Sequence, residues 1–418
     1  MKDLAFNPSP PYVMHIDFNS CFASIEQQAN PLLRGKAVVV AAYNTPRGCI
    51  LAASIEAKKL GIKTGMRILE AKKLYPPLVV LIPDPWKYRS VHLALRKIIS
   101  GYTEKFAPKS IDEFVLDLEG CPSVRTRSLE RVAREIKTEI KKQVGEWLTV
   151  SIGIAPNRYL AKVAAGLHKP DGLDEINKDN FLDCYSKLKL TDLPYIKIGN
   201  AVRLAGVGVY TVLDFYQASL PRLKVAFASI DSYYWYLKLR GWEINDVSFA
   251  RRSYGNSFAL PKPLVSPEGL SPTLSKLTEK VSARMRMAGY SARGVHLGLT
   301  YRDWSFWHKG VTFPRELFES REIYKEAYRI LSLSPRLKPV REIAVSCFNL
   351  IKDKSFQLNI FENALVKKKL TENIDSLNNR WGLGSVASAR MFLTDPGWVC
   401  DRIAFDGIKE LEEFTLQS

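Results

Sequence analysis

The sequence lacks any cysteine arrangement that could hold a metal or a disulfide framework. Its six cysteines, Cys21, Cys49, Cys121, Cys184, Cys347 and Cys400, are scattered, with no C-x-x-C and no histidine at zinc-ligand spacing. They read as reduced, mostly buried thiols, which excludes a disulfide scaffold and a zinc module. Long apolar runs are missing too. No stretch approaches the roughly 20 residues needed to span a bilayer, and the opening Met1-Lys-Asp-Leu-Ala-Phe-Asn-Pro has no charged segment followed by an apolar one. A cytoplasmic protein that does not enter a membrane is expected. No internal repeat and no low-complexity tract is present, so solenoid and disordered classes are set aside.

What is present is size and positive charge. At 418 residues the chain is long enough for two to four domains, each with its own core. Lys and Arg number 61 against 43 Asp and Glu, a net charge of +18. Neutralising phosphates releases counterions, so this balance favours a polyanion, with nucleic acid the leading candidate. Charge alone would also suit solubility or an anionic membrane surface.

Apolar runs at 12–18 and 37–42 read as short buried strands, separated by a helical pattern from Cys21 to Ala29 that Asn30-Pro31 ends. Residues 49–75 read as mainly helical and basic. After the apolar run 78–82 come an amphipathic helix near 86–104, strands at 113–118 and 148–154, and a charged helix at 128–143 between them. Strands with helices on one face make α+β the expected class of the first 170 residues. Short helices and turns follow over about 179–242, and a basic stretch at 243–253 reads as a linker. Pro261, Pro263, Pro267 and Pro272 then punctuate a new unit, with a helix near 273–289 and alternating strands at 295–299 and 343–347.

Two acidic sites stand at the ends of such strands. Asp17 closes Tyr12-Val13-Met14-His15-Ile16, and Asp112-Glu113 lies within Ser110-Ile-Asp-Glu-Phe-Val-Leu-Asp117. Hard cations such as Mg²⁺ take oxygen ligands, usually one or two carboxylates plus substrate phosphates. Two such ions roughly 3.5–4 Å apart stabilise both oxygens of an in-line displacement. An Asp-Glu pair on a solvated strand edge would look the same, so the surrounding motifs decide.

Read together, the segment Asp17-Phe-Asn-Ser-Cys-Phe-Ala-Ser-Ile-Glu26, the strand entry Gly35-Lys36-Ala-Val-Val-Val40 and Ser110-Ile-Asp-Glu113 resemble, in order and spacing, the Y-family DNA polymerases of the DinB and UmuC branches. The resemblance implies a multidomain α+β right hand. Its palm would be 1–19 and 80–178, its fingers 20–79, its helical thumb 179–242, and its α/β little finger 254–350, reached through the linker 243–253 and followed by a tail 351–418. It implies template-directed, low-fidelity translesion synthesis on primer-template DNA from deoxynucleoside triphosphates, by a monomer. Asp17, Asp112 and Glu113, with the Phe18 carbonyl, would hold two Mg²⁺ ions. Ser110 and Asp117 would shape the hairpin.

Under the same resemblance Asn19, Ser20, Cys21 and Phe22 form the turn into a helix whose free N–H groups receive the triphosphate. Phe22 matches the steric gate that excludes a ribose 2′-hydroxyl. Lys58 and Lys169 fall at basic triphosphate contacts. DinB-type enzymes usually carry Tyr and Arg where this chain has Ile55 and Lys58, so a bidentate fork becomes a point charge. Asn19-Ser20 and Asn378-Asn-Arg-Trp-Gly-Leu-Gly384 look more like the UmuC branch.

In the thumb, Tyr195 and Lys197 stand where the family favours glycine, and a side chain would resist the tight turn. In the little finger Arg251, Arg252, Arg284, Arg293 and Arg302 alternate with Tyr254, Tyr301, Trp304 and Trp307, a pattern suited to tracking a DNA backbone or to a charged face over an aromatic core. Gln357-Leu-Asn-Ile-Phe361 resembles the peptide by which bacterial polymerases bind the sliding clamp, with Gln357, Leu358, Ile360 and Phe361 as contacts. The rival readings are a non-catalytic clamp- and DNA-binding scaffold and a palm-type nucleotidyl cyclase.

Overall fold

Alternation of apolar and polar residues gives β1 (Val13–Phe18) two unlike faces, and the chain turns directly from it into α1 (Cys21–Ala29). In the computed structural model, which describes residues 4–244, 251–335, 338–352, 364–382 and 384–393, these elements belong to the first of two units. That unit holds the described residues up to 244, and the second those from 251 onward.

After α1 the first unit forms a small sheet of β2 (Val38–Ala41), β3 (Ile50–Ala53) and β4 (Val79–Leu81) in the order β3-β2-β4. Packed on it are α2 (Ile55–Lys59) and α3 (Ile68–Leu74) through Ala57, Ile68 and Ala71. Residues 49–75 were expected to be mainly helical. Instead Ile50–Ala53 is a strand, because pairing with β2 buries Ile50 and Ala53 completely, and the helices are short.

Next come α4 (Pro85–Ser100), β5 (Phe106–Pro108), β6 (Glu113–Asp117), α5 (Leu129–Gln143), β7 (Val150–Ala155), α6 (Arg158–Leu167) and β8 (Leu173–Glu175). Side-chain caps start three of these helices: Asp84 accepts from the Lys87 amide, Ser128 from Arg131 and Asn157 from Leu160. The strands form one sheet in the order β5-β6-β1-β7-β8. On one face Met14, Ile16, Phe18, Phe114, Leu116, Ile152 and Ile154 join Leu95 and Ile99 of α4 and Ile136 and Ile140 of α5 in the core.

The expectation of helices on one face only is corrected by α6. It lies against the opposite face at Gly153, where a Cβ would come within 2.1 Å of the Ala161 carbonyl and the Ala165 amide. Only a residue without a side chain lets the helix approach so closely.

The rest of this unit is helical: α7 (Phe181–Ser186), α8 (Ile198–Ala205), α9 (Val212–Gln217), α10 (Leu220–Phe227) and α11 (Asp231–Lys238) surround Tyr185, Leu204, Phe215 and Trp235. Tyr195 takes φ 68°, the left-handed conformation expected to resist a side chain, at a cost of about 1–2 kcal/mol. Its ring stays outside the core, 64% exposed.

The second unit contains β9 (Ser253–Leu264), α12 (Pro267–Met287), β10 (Tyr290–Tyr301), β11 (Phe306–Leu317), α13 (Ser320–Leu331), β12 (Val340–Lys352) and α14 (Ala364–Trp381), with its sheet ordered β11-β10-β12-β9. Strand β9 lies at the sheet edge, where Pro261 and Pro263 are tolerated. The helix expected near 273–289 starts earlier, at Pro267. Proline at the first helical position loses no hydrogen bond, and burial of Leu270, Leu274, Leu277 and Val281 carries the helix through Pro272. Residues 364–381 continue this unit as α14, joined to α12 by two bonds of 2.7 Å between the Arg286 guanidinium and Asp375. Asn378 both donates to the Val386 carbonyl and accepts from its amide. The peptide 357–361 and most of 243–253 lie outside the described residues.

Candidate active site

The register of β1, β6 and β7 determines which side chains share the face opposite the core. Asp17 pairs with Glu113 and with Ser151, and His15 pairs with Val115 and with Gly153. Asp17 and Glu113 thus stand side by side at the open end of the central strand pair. Asp112 reaches the same place from the turn before β6, where its carbonyl accepts from the Phe18 amide at 2.9 Å. Its carboxylate is held by the Ser110 hydroxyl.

A cavity of about 500 Å³ opens here, lined by Asp17, Asp112, Asn19, Ser20, Cys21, Phe22, Lys58 and Lys169 among others. Asp17, Asp112 and the residues expected to meet a nucleotide therefore line one cavity, while Glu113 stands outside that lining as the strand partner of Asp17. Burial pushes the carboxyl groups of Asp17 and Asp112 up from the ordinary range. Lys169 opposes the rise at Asp17, and the Ser110 hydrogen bond opposes it at Asp112. Burial also lowers the Lys58 ammonium, and the charge of Lys169 adds to this.

Two lysines neutralise two of the three carboxylates. Lys169 Nζ lies 2.6 Å from Asp17 Oδ1, and Lys162 Nζ lies 2.5 Å from Glu113 Oε2. Burial works against the charge of Lys162, but the Glu113 hydrogen bond and charge outweigh it and raise its pKa. Lys162 reaches Glu113 because α6 crosses this face over Gly153.

Three members of the site were not foreseen. His15 is 1% exposed, with both ring nitrogens lacking a hydrogen-bond partner and Nε2 3.6 Å from Glu113. Burial, then Lys162 and Lys169, push its pKa down to about 3. Among the described residues, ligand atoms of His15, Asp17 and Glu113 lie within 4.8 Å of one another. His15 stands two residues before Asp17 on one strand, so period-two alternation could have put it on this face. Lys162 carries no comparable signal. Asp171 bonds Lys137 and Lys141 and donates its amide to Asn19 Oδ1, anchoring the loop that presents Lys169.

At the start of α1, Ser20 adopts φ 54° and its buried hydroxyl has no hydrogen-bond partner. The Asn19 amide donates to the Thr149 carbonyl, so the unsatisfied donors begin beyond it, in the first turn of the helix. Asn19 uses its side chain to donate to Ser151 and to accept from Thr149 and Asp171. Phe22 is 3% exposed and borders the cavity.

The five arginines of the second unit sit in different local settings. Arg284 lies on α12, in the helical layer that covers the apolar face of the sheet. Arg293 pairs with Glu316 at 3.4 Å, Arg251 stacks 3.9 Å over Tyr254, and Arg252 and Arg302 are exposed. Tyr254 and Tyr301 belong to the core. The sheet face away from the helices presents Gly294, His296 and Gly298 on β10, with Phe348, Ser346 and Ala344 opposite them on β12. Among the described residues, no helix is long and apolar enough to cross a membrane.

The family model described as the impB/mucB/samB family matches residues 16–166, and that described as the impB/mucB/samB family C-terminal domain matches 251–360. A protein named DNA polymerase IV from Pelotomaculum thermopropionicum is 32% identical over 401 residues, covering 93% of this chain and 97% of that protein. Two solved structures are similar. One, a Y-family DNA polymerase chimera of Dbh and Dpo4, has a TM-score of 0.71 at 26% identity, covering 81% of this chain and 99% of its own. The other, an insertion ternary complex of Dbh DNA polymerase, has a TM-score of 0.54 with the same identity and coverage.

Proposed function

This chain belongs to the impB/mucB/samB family and is a Y-family translesion DNA polymerase, and we propose that Asp17, Asp112 and Glu113 are the carboxylates through which it binds its catalytic cations. The observation that carries the proposal is the pairing of Asp17 with Glu113 across β1 and β6, beside the cavity that Asp112 also lines. The proposed donors are carboxylate oxygens and the Phe18 carbonyl, a hard set that suits Mg²⁺. Burial penalises the charge on Asp17 and Asp112, so both carboxylates gain from a cationic partner. What a pair of divalent ions supplies in such a site is charge neutralisation at the attacking and leaving oxygens.

The protein's own groups do the rest. Amides at the start of α1, from Ser20 to Phe22, and the unpartnered Ser20 hydroxyl face the side from which a triphosphate is received. Asn19 acts from behind, fixing the loop of Lys169. Lys58 and Lys169 neutralise the phosphates. Phe22 packs beneath the sugar and leaves no room for a 2′-hydroxyl. Primer-template DNA and deoxynucleoside triphosphates are the substrates, and Arg251, Arg252, Arg284, Arg293 and Arg302 are proposed to contact the DNA backbone.

A primer-extension assay on undamaged and lesion-bearing templates tests the assignment. Asp17→Asn, Asp112→Asn and Glu113→Gln should each abolish extension while DNA binding, read by fluorescence anisotropy, persists. Extension that survives Asp112→Asn would reject it. The scaffold reading is not favoured, because a relative covering nearly the whole chain is named a polymerase. That name also disfavours the cyclase.

Gln357, Leu358, Ile360 and Phe361 are proposed to bind a sliding clamp. Replacing Leu358 and Phe361 by Ala should remove clamp binding and spare clamp-independent synthesis by the monomer; unchanged clamp affinity would refute it.

A further inference from the structure

Lys169 is claimed by two partners that cannot both hold it. Its ammonium lies 2.6 Å from Asp17, yet it also lines the cavity proposed to take the triphosphate. We propose that Lys169 couples cation and nucleotide binding. In the nucleotide-free enzyme it is the counter-ion of Asp17; when a divalent cation takes Asp17, it is released to the phosphates. The inference rests on the reading of Asp17 as a cation ligand and of the cavity as the triphosphate site.

Three observations support the exchange. First, the side chain of Asp17 is only 14% exposed, so its charge needs a resident partner when no cation is bound. Second, the backbone of the loop is hydrogen-bonded to its surroundings, while the lysine arm reaches Asp17 from a partly exposed position. The Asp171 amide donates to Asn19, the Gly172 amide donates to Ser151, and Lys137 bonds the Asp171 carbonyl at 2.6 Å. The side chain of Lys169 is 40% exposed and carries a compact charge on a flexible stem. Third, Lys58 lines the same cavity, so an anion between the two ammonium groups relieves their mutual repulsion.

Lys162 does not have this double role. It pairs with Glu113 but does not line the cavity, and its ammonium also lies 5.7 Å over the Tyr195 ring.

The thermodynamic consequence follows from competition. A cation and Lys169 compete for Asp17, and the triphosphate and Asp17 compete for Lys169. Each ligand therefore removes the other's competitor, and the coupling is reciprocal. The charges of two divalent cations and a fully ionised triphosphate cancel, so joint binding returns the site to its starting charge, whereas a cation alone leaves a displaced ammonium beside it.

The test is Mn²⁺ binding to the full-length protein on dideoxy-terminated primer-template DNA, read from the free-ion EPR signal with and without an α,β-imido deoxynucleoside triphosphate, each titration corrected by a protein-free one containing the same DNA and nucleotide. In the wild type the nucleotide should tighten Mn²⁺ binding by about 5–150-fold, the usual range of such couplings. Lys169→Met should bind Mn²⁺ several-fold more tightly than wild type without nucleotide, and the nucleotide effect should fall several-fold below the wild-type value, leaving the part that comes from direct coordination of Mn²⁺ by the phosphates. Lys169→Arg should restore weak binding and strong coupling. Lys59→Met, which removes an exposed charge from the same cavity wall, controls for the general field. A Lys169→Met protein whose nucleotide-free affinity does not exceed that of Lys59→Met, or whose coupling equals the wild-type value, overturns the inference. Mn²⁺ binding unaffected by Asp17→Asn would instead overturn the reading of the site on which it rests.

Discussion

The ring of Phe22 lies flat against that of Tyr88, with centroids 4.4 Å apart and planes 11° from parallel. Tyr88 is itself fixed, because its hydroxyl donates to Glu26 at 2.8 Å and Glu26 is also held by Lys87 at 2.6 Å. Phe22 therefore has a rigid backing from α4 and cannot retreat from a sugar placed on its cavity side. Inserting an extra group against such a wall costs typically 1–3 kcal/mol. Phe22→Val should lower discrimination against ribonucleotides by roughly 5–150-fold, the same energy expressed as a ratio of incorporation efficiencies. An unchanged sugar preference would remove Phe22 from the role of gate.

Asp112→Asn should separate activity from stability. Its carboxylate is penalised by burial and by Glu113, while asparagine keeps an oxygen for the Ser110 hydroxyl. In the presence of chelator the variant's melting temperature should equal or exceed that of the wild type. Its primer extension should fall by at least 10²–10³-fold, the scale on which removal of a transition-state electrostatic partner is felt. A lower melting temperature would show that the Asp112 carboxylate supports the fold, and undiminished extension would remove it from the chemistry.

The contrast between Asp17 and Lys162 shows what a one-dimensional reading reaches. Asp17 and Glu113 were legible because Asp17 ends one short apolar run and Glu113 begins another, and two antiparallel strands bring the end of one beside the start of the other. The acidic cluster therefore follows from local pattern plus one pairing. Lys162 sits in a helix whose position depends on Gly153 of another element, a packing relation with no signature in the helix's own sequence. Strand β3 was hidden for a similar reason, since Ile50-Leu-Ala-Ala53 is too short for period to distinguish it from helix without its partner β2. Tyr195 shows a third limit: the turn forms despite its side chain because the ring projects into solvent and the backbone strain is borne by the surrounding packing.

Gly153 makes the packing relation testable. A methyl group there would press on backbone atoms of Ala161 and Ala165 at 2.1 Å, so α6 must move. Gly153→Ala should cost about 1–3 kcal/mol and lower the melting temperature by several degrees. It should also weaken primer extension, because α6 carries Lys162 to Glu113. Gly166, on the same helix with nothing within 4 Å of an added Cβ, is the control. Gly166→Ala should hold or raise the melting temperature, given alanine's helix propensity. Equal melting temperatures for the two variants would show that α6 does not depend on the missing side chain of Gly153.

The helix α14 lies beyond residue 360, where the match to the family's C-terminal domain ends, and its attachment comes from side chains of α12 and α13. Arg286 supplies the first link, donating Nε and Nη2 to the two oxygens of Asp375 while Nη1 donates to the Phe318 carbonyl and to Ser320. The guanidinium is only 11% exposed, so removing it would leave several acceptors without donors. Removing Asp375 is the cleaner cut, because Arg286 keeps its other partners. Hydrogen bonds to charged groups contribute about 1.5–3 kcal/mol each. Asp375→Ala should therefore speed amide hydrogen exchange over 364–381 by at least tenfold while exchange in β10 and β12 stays unchanged. Should α14 remain as protected as in the wild type, the second link from Lys367 to Glu322 at 3.2 Å would be the one that holds it, and Lys367→Ala would then produce the loss of protection that Asp375→Ala did not.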